Sequence, residues 1–148
     1  MSEIRELTYE KCEQLIRAGV FGRMALNRPT GPEVIPVNYV AVAGSVLVRT
    51  TPGSLLDRYA DGAALVLEVD DVNYAEWHGW SVVARGRGER ITTEELTDEE
   101  RDSSGPQPWV SREEESWIRL RWVTLTGRRL GSGWSPLGEL TALRRGPA

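Results

Sequence analysis

An arginine and three hydroxyl side chains lie close together in the sequence, at Arg49, Thr50, Thr51 and Ser54. If the residues up to Thr51 form a strand, side chains alternate between its two faces, so Arg49 and Thr51 share one face. A guanidinium is a planar fork of donors that suits a phosphate or a carboxylate, and hydroxyl groups add further hydrogen bonds. We therefore expect this short run to bind an anion.

A β-hairpin is expected to position the arginine. The residues Val34 to Ala43 and Ser45 to Thr51 are mostly apolar and form two runs of strand length. Gly44 lies between them and accepts the positive φ that a tight turn requires. Arg49 therefore lies near the end of the second strand of the hairpin.

A helix is expected to follow the hairpin directly, from Pro52 to about Ala60. Proline favours the first position of a helix, and Thr51 would be the N-cap. The exposed amides of Gly53 and Ser54, together with the helix dipole, would then add donors for the anion.

Most of the remaining sequence reads as strands. Further strands are predicted at Val20 to Asn27, Ala63 to Val69, Trp80 to Ile91 and Trp117 to Thr126. Gly86 and Gly88 indicate a bend or bulge of the kind that barrels use at corners. About six strands, with mostly short connections, favour a closed β-barrel with peripheral helices over a βαβ sheet.

Two further helices are predicted at the periphery of this barrel. The first has Thr8 as N-cap and ends at Gly19, with an apolar stripe formed by Cys12, Leu15 and Ile16. The second is short and acidic, from about Thr93 to Arg101, and leads into a polar loop from Asp102 to Pro108.

The composition argues against several classes of protein. At 148 residues the chain fits one domain, and its net charge of −4 offers no attractive field for nucleic acid. The polar, acidic N-terminus lacks the pattern of a signal peptide, and no apolar run reaches membrane-spanning length. The lone Cys12 cannot form an internal disulfide and suits a reducing compartment. We expect a cytoplasmic protein with no membrane or nucleic-acid partner.

Five segments occur in a characteristic order: PVNYV, VRTTPGSLL, LEVDDV, GWSVVARG and LTGRRL. In this order, from about Leu7 to Leu130, the chain resembles the pyridoxamine 5'-phosphate oxidase-like family of FMN-binding split β-barrels, in particular its short bacterial members. The resemblance implies a mainly β, six-stranded split barrel with short peripheral helices. It also implies a single domain over residues 1–148 with a C-terminal tail from about residue 131, and a homodimer that binds FMN in two clefts between subunits.

The resemblance assigns three groups of cofactor-binding residues. The FMN phosphate and ribityl hydroxyls are assigned to the first group, Arg49, Thr50, Thr51, Ser54 and Leu55. The strand along the isoalloxazine is the second group, Pro36, Val37, Asn38 and Tyr39. In the third group, Trp80 and Ser81 approach the flavin near the dimer interface, and Arg129 comes from the segment TGRR that closes the family pattern.

Simpler interpretations of these residues stay open at this stage. Arg49 could be a surface arginine beside an ordinary capped helix, and Asn38 could bond its own strand end. Trp80 could belong to the core. A positive charge from Arg128 or Arg129 near N1 of a flavin would favour its reduced anion, whereas either arginine could equally be solvated.

One position departs from the family pattern. Many members carry a lysine where this chain has Leu56. Either the phosphate is held less tightly here, or Arg58 supplies the missing charge.

The resemblance implies an FMN-dependent oxidoreductase that acts on a small-molecule substrate, which the sequence does not identify. True pyridoxamine phosphate oxidases end with an Arg-x-His that this chain lacks, so vitamin B6 oxidation is not expected. A deazaflavin-dependent reductase and a non-catalytic flavin-binding module are the alternatives.

No catalytic or metal-binding residue is assigned. Cys12 and His78 are the only cysteine and histidine, and we expect the first in the core and the second to be solvated or structural. With so few nitrogen and sulfur ligands, no metal site is expected.

Overall fold

The computed structural model describes residues 4–103 and 116–131. The strands are β1 (Ile4–Glu6), β2 (Phe21–Arg28), β3 (Gly31–Val42), β4 (Ser45–Thr50), β5 (Ala64–Asn73), β6 (His78–Ile91) and β7 (Ser116–Leu130). The α-helices are α1 (Tyr9–Ala18), α2 (Leu55–Tyr59) and α3 (Asp98–Asp102), and a single 3₁₀ turn spans Thr93–Glu95.

Six of the strands close into a ring. Their order is β7, β4, β3, β2, β5 and β6, every pairing is antiparallel, and β6 pairs back onto β7. The short β1 adds to the edge of β7 near its C-terminal end, a strand that the sequence did not predict. The expected mainly β, six-stranded split barrel with peripheral helices is confirmed.

A turn and a bulge of the backbone occur at the glycines where they were predicted. Ala43 and Gly44 both have positive φ, 48° and 80°, which gives the two-residue turn that suits a twisted hairpin. The register between β6 and β7 shifts between Arg85 and Gly86, where a Cβ on Gly86 would lie 2.0 Å from the carbonyl oxygen of Arg121. Only glycine permits that close approach, so the predicted barrel bulge is confirmed at Gly86.

The barrel interior is filled by side chains. The main cluster includes Trp80 and Tyr39, the two largest fully buried side chains, and α1 adds the predicted stripe of Cys12, Leu15 and Ile16. Thr8 caps α1 as predicted, since its side chain accepts a hydrogen bond from the amide of Lys11. The interior therefore has little room for a ligand of flavin size.

Tyr39 is held in this core by one hydrogen bond. Its hydroxyl donates to the backbone oxygen of Ile16 at 2.6 Å, and burial raises the pKa of Tyr39 well above its usual value. The hydroxyl therefore remains a donor at all ordinary pH values, and it ties α1 to β3.

The predicted acidic helix and the predicted last strand differ from the observed elements. The acidic helix is two pieces, because Thr97 forms a capping box with Glu100 and starts α3 afresh. The last strand continues beyond Thr126 to Leu130, so it includes Arg128 and Arg129. Most of the predicted polar loop, and the tail after residue 131, lie outside the described residues.

Candidate functional site

Arg49 lies on the outer face of β4, where it is half-buried. Its partner across the strand pair is Trp117 of β7, and the guanidinium carbon lies 4.6 Å from the centroid of the Trp117 ring. This is cation–π distance, so the ring limits the orientations that the guanidinium can adopt. The arginine is therefore an oriented cation.

The three predicted hydroxyls gather beside the end of this strand. The Thr50 and Ser54 hydroxyl oxygens are 2.7 Å apart and share a hydrogen bond. The Thr51 hydroxyl is buried and has no hydrogen-bond partner among the described residues. A buried hydroxyl without a partner costs free energy, so this atom is suited to contact a bound polar group.

The prediction that Thr51 caps a helix from Pro52 is wrong. The amide of Ser54 donates to the carbonyl of Thr51 at 3.0 Å, and Gly53 has a φ of 83°. This is the form of a type II turn, in which proline and glycine occupy the two central positions. The α2 helix begins only at Leu55, and Ser54 is its N-cap.

The amides that were expected to face an anion are consequently already used. The amide of Gly53 donates to Asp57 Oδ2 at 2.8 Å, and the amide of Ser54 donates to the carbonyl of Thr51 at 3.0 Å. The helix is also only five residues long. Donors for an anion would therefore have to come from side chains here and not from a helix terminus.

Asp57 fastens this region to the barrel. Its Oδ1 accepts a hydrogen bond from Ser116 at 2.8 Å and lies 3.1 Å from Nε of Arg90. The hydrogen bond from Gly53, and then that from Ser116, hold the pKa of Asp57 below its usual range. The carboxylate thus stays ionised and joins α2 to β6 and β7.

Leu56 does not face this cluster of hydroxyls. Its side chain is 3% exposed and belongs to the main core, where α2 packs against the barrel. Arg58 is exposed and lies over the ring of Tyr59, 5.3 Å from the centroid. Arg28 approaches the same ring at 6.0 Å. In the described residues, Arg58 thus contacts Tyr59 rather than the hydroxyls near Arg49.

The predicted residues of β3 alternate between the two faces of the sheet. Val37 and Tyr39 are buried in the core, whereas Pro36 is exposed and Asn38 half-buried on the outer face. The pairing of β3 with β4 begins at Tyr39, opposite Val48, so Asn38 and Arg49 occupy facing positions just beyond the paired stretch. The outer residues of β3 therefore adjoin the arginine.

The third predicted group lies elsewhere. Trp80 is fully buried in the core, and its indole nitrogen has no hydrogen-bond partner among the described residues. Ser81 is half-buried and donates to Glu68 Oε1 at 3.0 Å. Arg129 is half-buried and pairs across the strands with Trp80, and its neighbour Arg128 is exposed.

The strand register separates this group from Arg49. Arg49 is opposite Trp117 near one end of β7, whereas Ser81 is opposite Arg128 near the other end. At a rise of about 3.4 Å per residue, the two positions are separated by roughly 37 Å of strand. Within one chain the structure therefore does not bring the first and third groups together.

A cluster of charges surrounds Ser81 on the outer face. Nη1 of Arg23 lies 3.1 Å from Glu68 and 3.2 Å from Asp70. Burial, and then the hydrogen bond and charge of Asp70, raise the pKa of Glu68 above its usual value. The positive charge of Arg23 thus lies between these two carboxylates.

Trp117 was missed as a site residue by the sequence reasoning. The sequence analysis places it only at the start of the last predicted strand, because nothing in the sequence reveals which residue of β7 is opposite Arg49. That pairing depends on the register of two strands that are far apart in the chain.

Two kinds of feature are absent from the part of the chain that the structure describes. There, no group of three or more His, Cys, Asp or Glu side chains is placed to hold a metal ion. No helix within residues 4–103 and 116–131 has both the length and the apolar character to cross a membrane.

Comparison with known proteins gives consistent matches. The model of a family described as pyridoxamine 5'-phosphate oxidase matches residues 8–129. An uncharacterised Mycobacterium tuberculosis protein, Rv0080, is 28% identical over 133 residues, which are 86% of each chain.

Solved structures with the same fold include two FAD-binding proteins. One, from Mycobacterium smegmatis, is 25% identical with a TM-score of 0.71, and the match covers 85% of this chain and 98% of the other. The second, from Mesorhizobium loti, is 20% identical with a TM-score of 0.71, and covers 89% and 100% of the two chains. The second likeness bears on the fold alone.

Proposed function

The chain belongs to the pyridoxamine 5'-phosphate oxidase family, and on that premise we propose that it is a flavoprotein that binds FMN with its phosphate at Arg49. The observation that carries the proposal is the cluster at the end of β4. It combines a guanidinium stacked on Trp117 with the buried Thr51 hydroxyl, which has no other partner among the described residues. A phosphate accepts from both kinds of group, so the residues present fit the cofactor.

The neighbouring residues suit the rest of the cofactor. The hydrogen-bonded hydroxyls of Thr50 and Ser54 lie where they can exchange partners with a ribityl chain. Asn38, which faces Arg49 just beyond the paired stretch of β3 and β4, offers an amide to the polar edge of the ring. Leu55, half-buried beside Ser54, supplies apolar contact.

A flavin bound here would supply hydride and electron transfer, and the protein would bind and orient it. We therefore propose an oxidoreductase with a small-molecule substrate. The described residues around Arg49 include no histidine or cysteine, which favours a protein that contributes orientation and electrostatics over one that contributes an acid–base pair. The buried Cys12 is compatible with a reducing cytoplasm.

We propose further that the active form is a homodimer. The barrel interior is filled, so the flavin must lie on the outer surface, where a single protomer covers only part of it. Arg49 and the pair formed by Ser81 and Arg129 lie near opposite ends of β7. A two-fold partner with its own Ser81 and Arg129 near Arg49 would unite the groups that one chain keeps apart.

FAD is the second candidate ligand. The relative from Mycobacterium smegmatis is an FAD-binding protein at 25% identity. FAD contains the FMN moiety and would use the same contacts at Arg49. A deazaflavin coenzyme would also place a phosphate there, and a flavin-binding module without turnover remains the alternative outside enzymes.

The test is the identity of the bound molecule. The purified protein should be yellow, or become yellow with added FMN, and mass spectrometry of heat-released ligand should find FMN. FAD or a deazaflavin in its place would change the cofactor but keep the site, whereas no binding of any of the three would refute the proposal.

Light scattering over a dilution series, with and without FMN, tests the dimer. FMN should stabilise the dimer, and a monomer that keeps stoichiometric flavin would exclude a shared site.

A further inference from the structure

Trp117 is held on every side that the structure describes. It is 5% exposed and packs in a small cluster with Leu47, Ile91 and Leu96, separate from the main core. Its indole nitrogen donates to Thr93 Oγ1 at 3.3 Å. One face of the ring meets the Arg49 guanidinium. The tryptophan is thus fixed both by apolar contacts and by one hydrogen bond.

Two of the residues that hold Trp117, Thr93 and Leu96, come from the segment after β6, residues 92–103. A buried ion pair fastens this segment to β7: Arg119 is 5% exposed and Glu100 is 3% exposed. Nε of Arg119 donates to Glu100 Oε2 at 3.1 Å, and Nη2 donates to Oε1 at 2.5 Å. Nη2 also donates to the carbonyl of Glu95 at 3.1 Å.

Each residue of the ion pair has a second role in the local structure. Glu100 also accepts from the amide of Thr97 at 2.9 Å and so completes the capping box of α3. Arg119 lies two residues after Trp117 on β7, so its side chain is on the same face of the strand. One face of β7 therefore carries both Arg119, which anchors segment 92–103, and Trp117, whose ring lies beneath Arg49.

We propose that Trp117 is a positioning residue for Arg49, and that segment 92–103 is the clamp that fixes Trp117. This inference rests on the proposed phosphate site. An arginine side chain has many rotamers, and an anion that binds to a mobile one must restrict it. A ring fixed beneath the guanidinium imposes that restriction beforehand, so that binding an oxyanion costs less conformational entropy.

The test separates contacts to phosphate from contacts to the ring system. Riboflavin has the isoalloxazine and ribityl chain of FMN but no phosphate. Trp117→Leu should weaken FMN binding by about 3- to 30-fold, the range for loss of a cation–π contact that is partly desolvated, and should leave riboflavin binding within about twofold. Trp117→Phe should restore most of the FMN affinity, because it keeps an aromatic face.

Two further variants control for general loss of structure. Trp122→Leu removes another half-buried tryptophan of β7, whose indole nitrogen donates to the hydroxyl of Tyr9 at 3.1 Å, and should leave the FMN-to-riboflavin ratio unchanged. Thr93→Val removes only the hydrogen bond to Trp117 from an exposed position and should lower FMN affinity slightly, about twofold, with no change for riboflavin. If Trp117→Leu does not fold, the comparison of Thr93→Val and Trp117→Phe with the wild type still decides the question.

The titrations distinguish failure of the proposed phosphate site from failure of the positioning role of Trp117. If the wild type binds riboflavin as tightly as FMN, the phosphate site itself is wrong. If the wild type prefers FMN, but the Trp117 variants lose FMN and riboflavin in equal proportion, the site stands and the positioning role is refuted.

Discussion

The buried ion pair between Glu100 and Arg119 should be a large and specific contributor to stability. Glu100→Gln keeps the acceptor oxygen for the Thr97 amide and removes only the charge, so that Arg119 is left buried with an exposed carboxylate, Glu89, at 3.4 Å. Breaking a buried pair from one side costs about 3–5 kcal/mol, and the remaining Glu89 places the expected loss near the lower end, at about 3 kcal/mol. For a chain of this length that corresponds to a fall of about 6–12 °C in Tm.

The assay is equilibrium unfolding in denaturant, measured at neutral pH and in acid. Burial disfavours the charged form of Glu100, but hydrogen bonds from Arg119 and Thr97 and the charge of Arg119 outweigh burial, so the pKa lies below its usual value. A lowered carboxyl pKa stabilises the fold above the unfolded pKa of about 4.3, and the contribution is lost as the pH falls through the folded pKa. The difference between wild type and Glu100→Gln should therefore shrink in acid.

A matched control uses the other carboxylate beside the same arginine. Glu89 is 50% exposed at its side chain, and Glu89→Gln should cost less than about 1 kcal/mol. Equal stability of Glu100→Gln and the wild type at neutral pH would refute the reasoning. An equal loss of unfolding free energy in Glu100→Gln and Glu89→Gln would refute it as well.

Two other substitutions test the barrel. Gly86→Ala should destabilise the protein by more than about 2 kcal/mol in chemical denaturation, because the new Cβ would lie 2.0 Å from the carbonyl oxygen of Arg121, a backbone atom that cannot move alone. A Gly86→Ala protein as stable as the wild type would mean that the bulge is wrongly placed. Tyr39→Phe should cost about 1–2 kcal/mol, since the carbonyl of Ile16 loses a buried donor at 2.6 Å, and thermal melting measures this directly. No change in Tm would indicate that Ile16 has another donor.

The elements that were predicted correctly depend on short-range patterns. The α1 stripe, its Thr8 cap and the Ala43–Gly44 turn follow from residues within a few positions of each other. The bulge at Gly86 was also visible, because paired glycines in a strand are unusual unless the backbone approaches another chain segment closely.

The wrong start of α2 shows how two local signals compete. Proline at the first helical position and proline in the second position of a type II turn have the same sequence signature. Two features decide in favour of the turn. Gly53 adopts a φ of 83°, and the Ser54 side chain accepts from the amide of Asp57, so that Ser54 caps a helix that begins three residues later than predicted. The glycine next to Pro52 was the available signal, and it was interpreted as a helix amide instead.

The composition of the candidate site was only partly accessible from the sequence. The outer positions Arg49 and Asn38 follow from strand alternation, but their proximity depends on the offset between β3 and β4. Trp117 and Arg119 meet Arg49 and Glu100 across long stretches of chain, and a shift of one residue in register would reverse every one of these faces.

The central claim, that Arg49 binds the phosphate of a flavin, is tested most directly by fluorescence titration of Arg49→Ala with FMN and with riboflavin. Loss of a hydrogen bond to a charged group should weaken FMN binding by about 1.5–3 kcal/mol and leave riboflavin binding nearly unchanged. Arg121→Ala removes an exposed arginine of β7 and should alter neither affinity. The account is contradicted if Arg49→Ala binds FMN as tightly as Arg121→Ala does, or if it loses FMN and riboflavin equally.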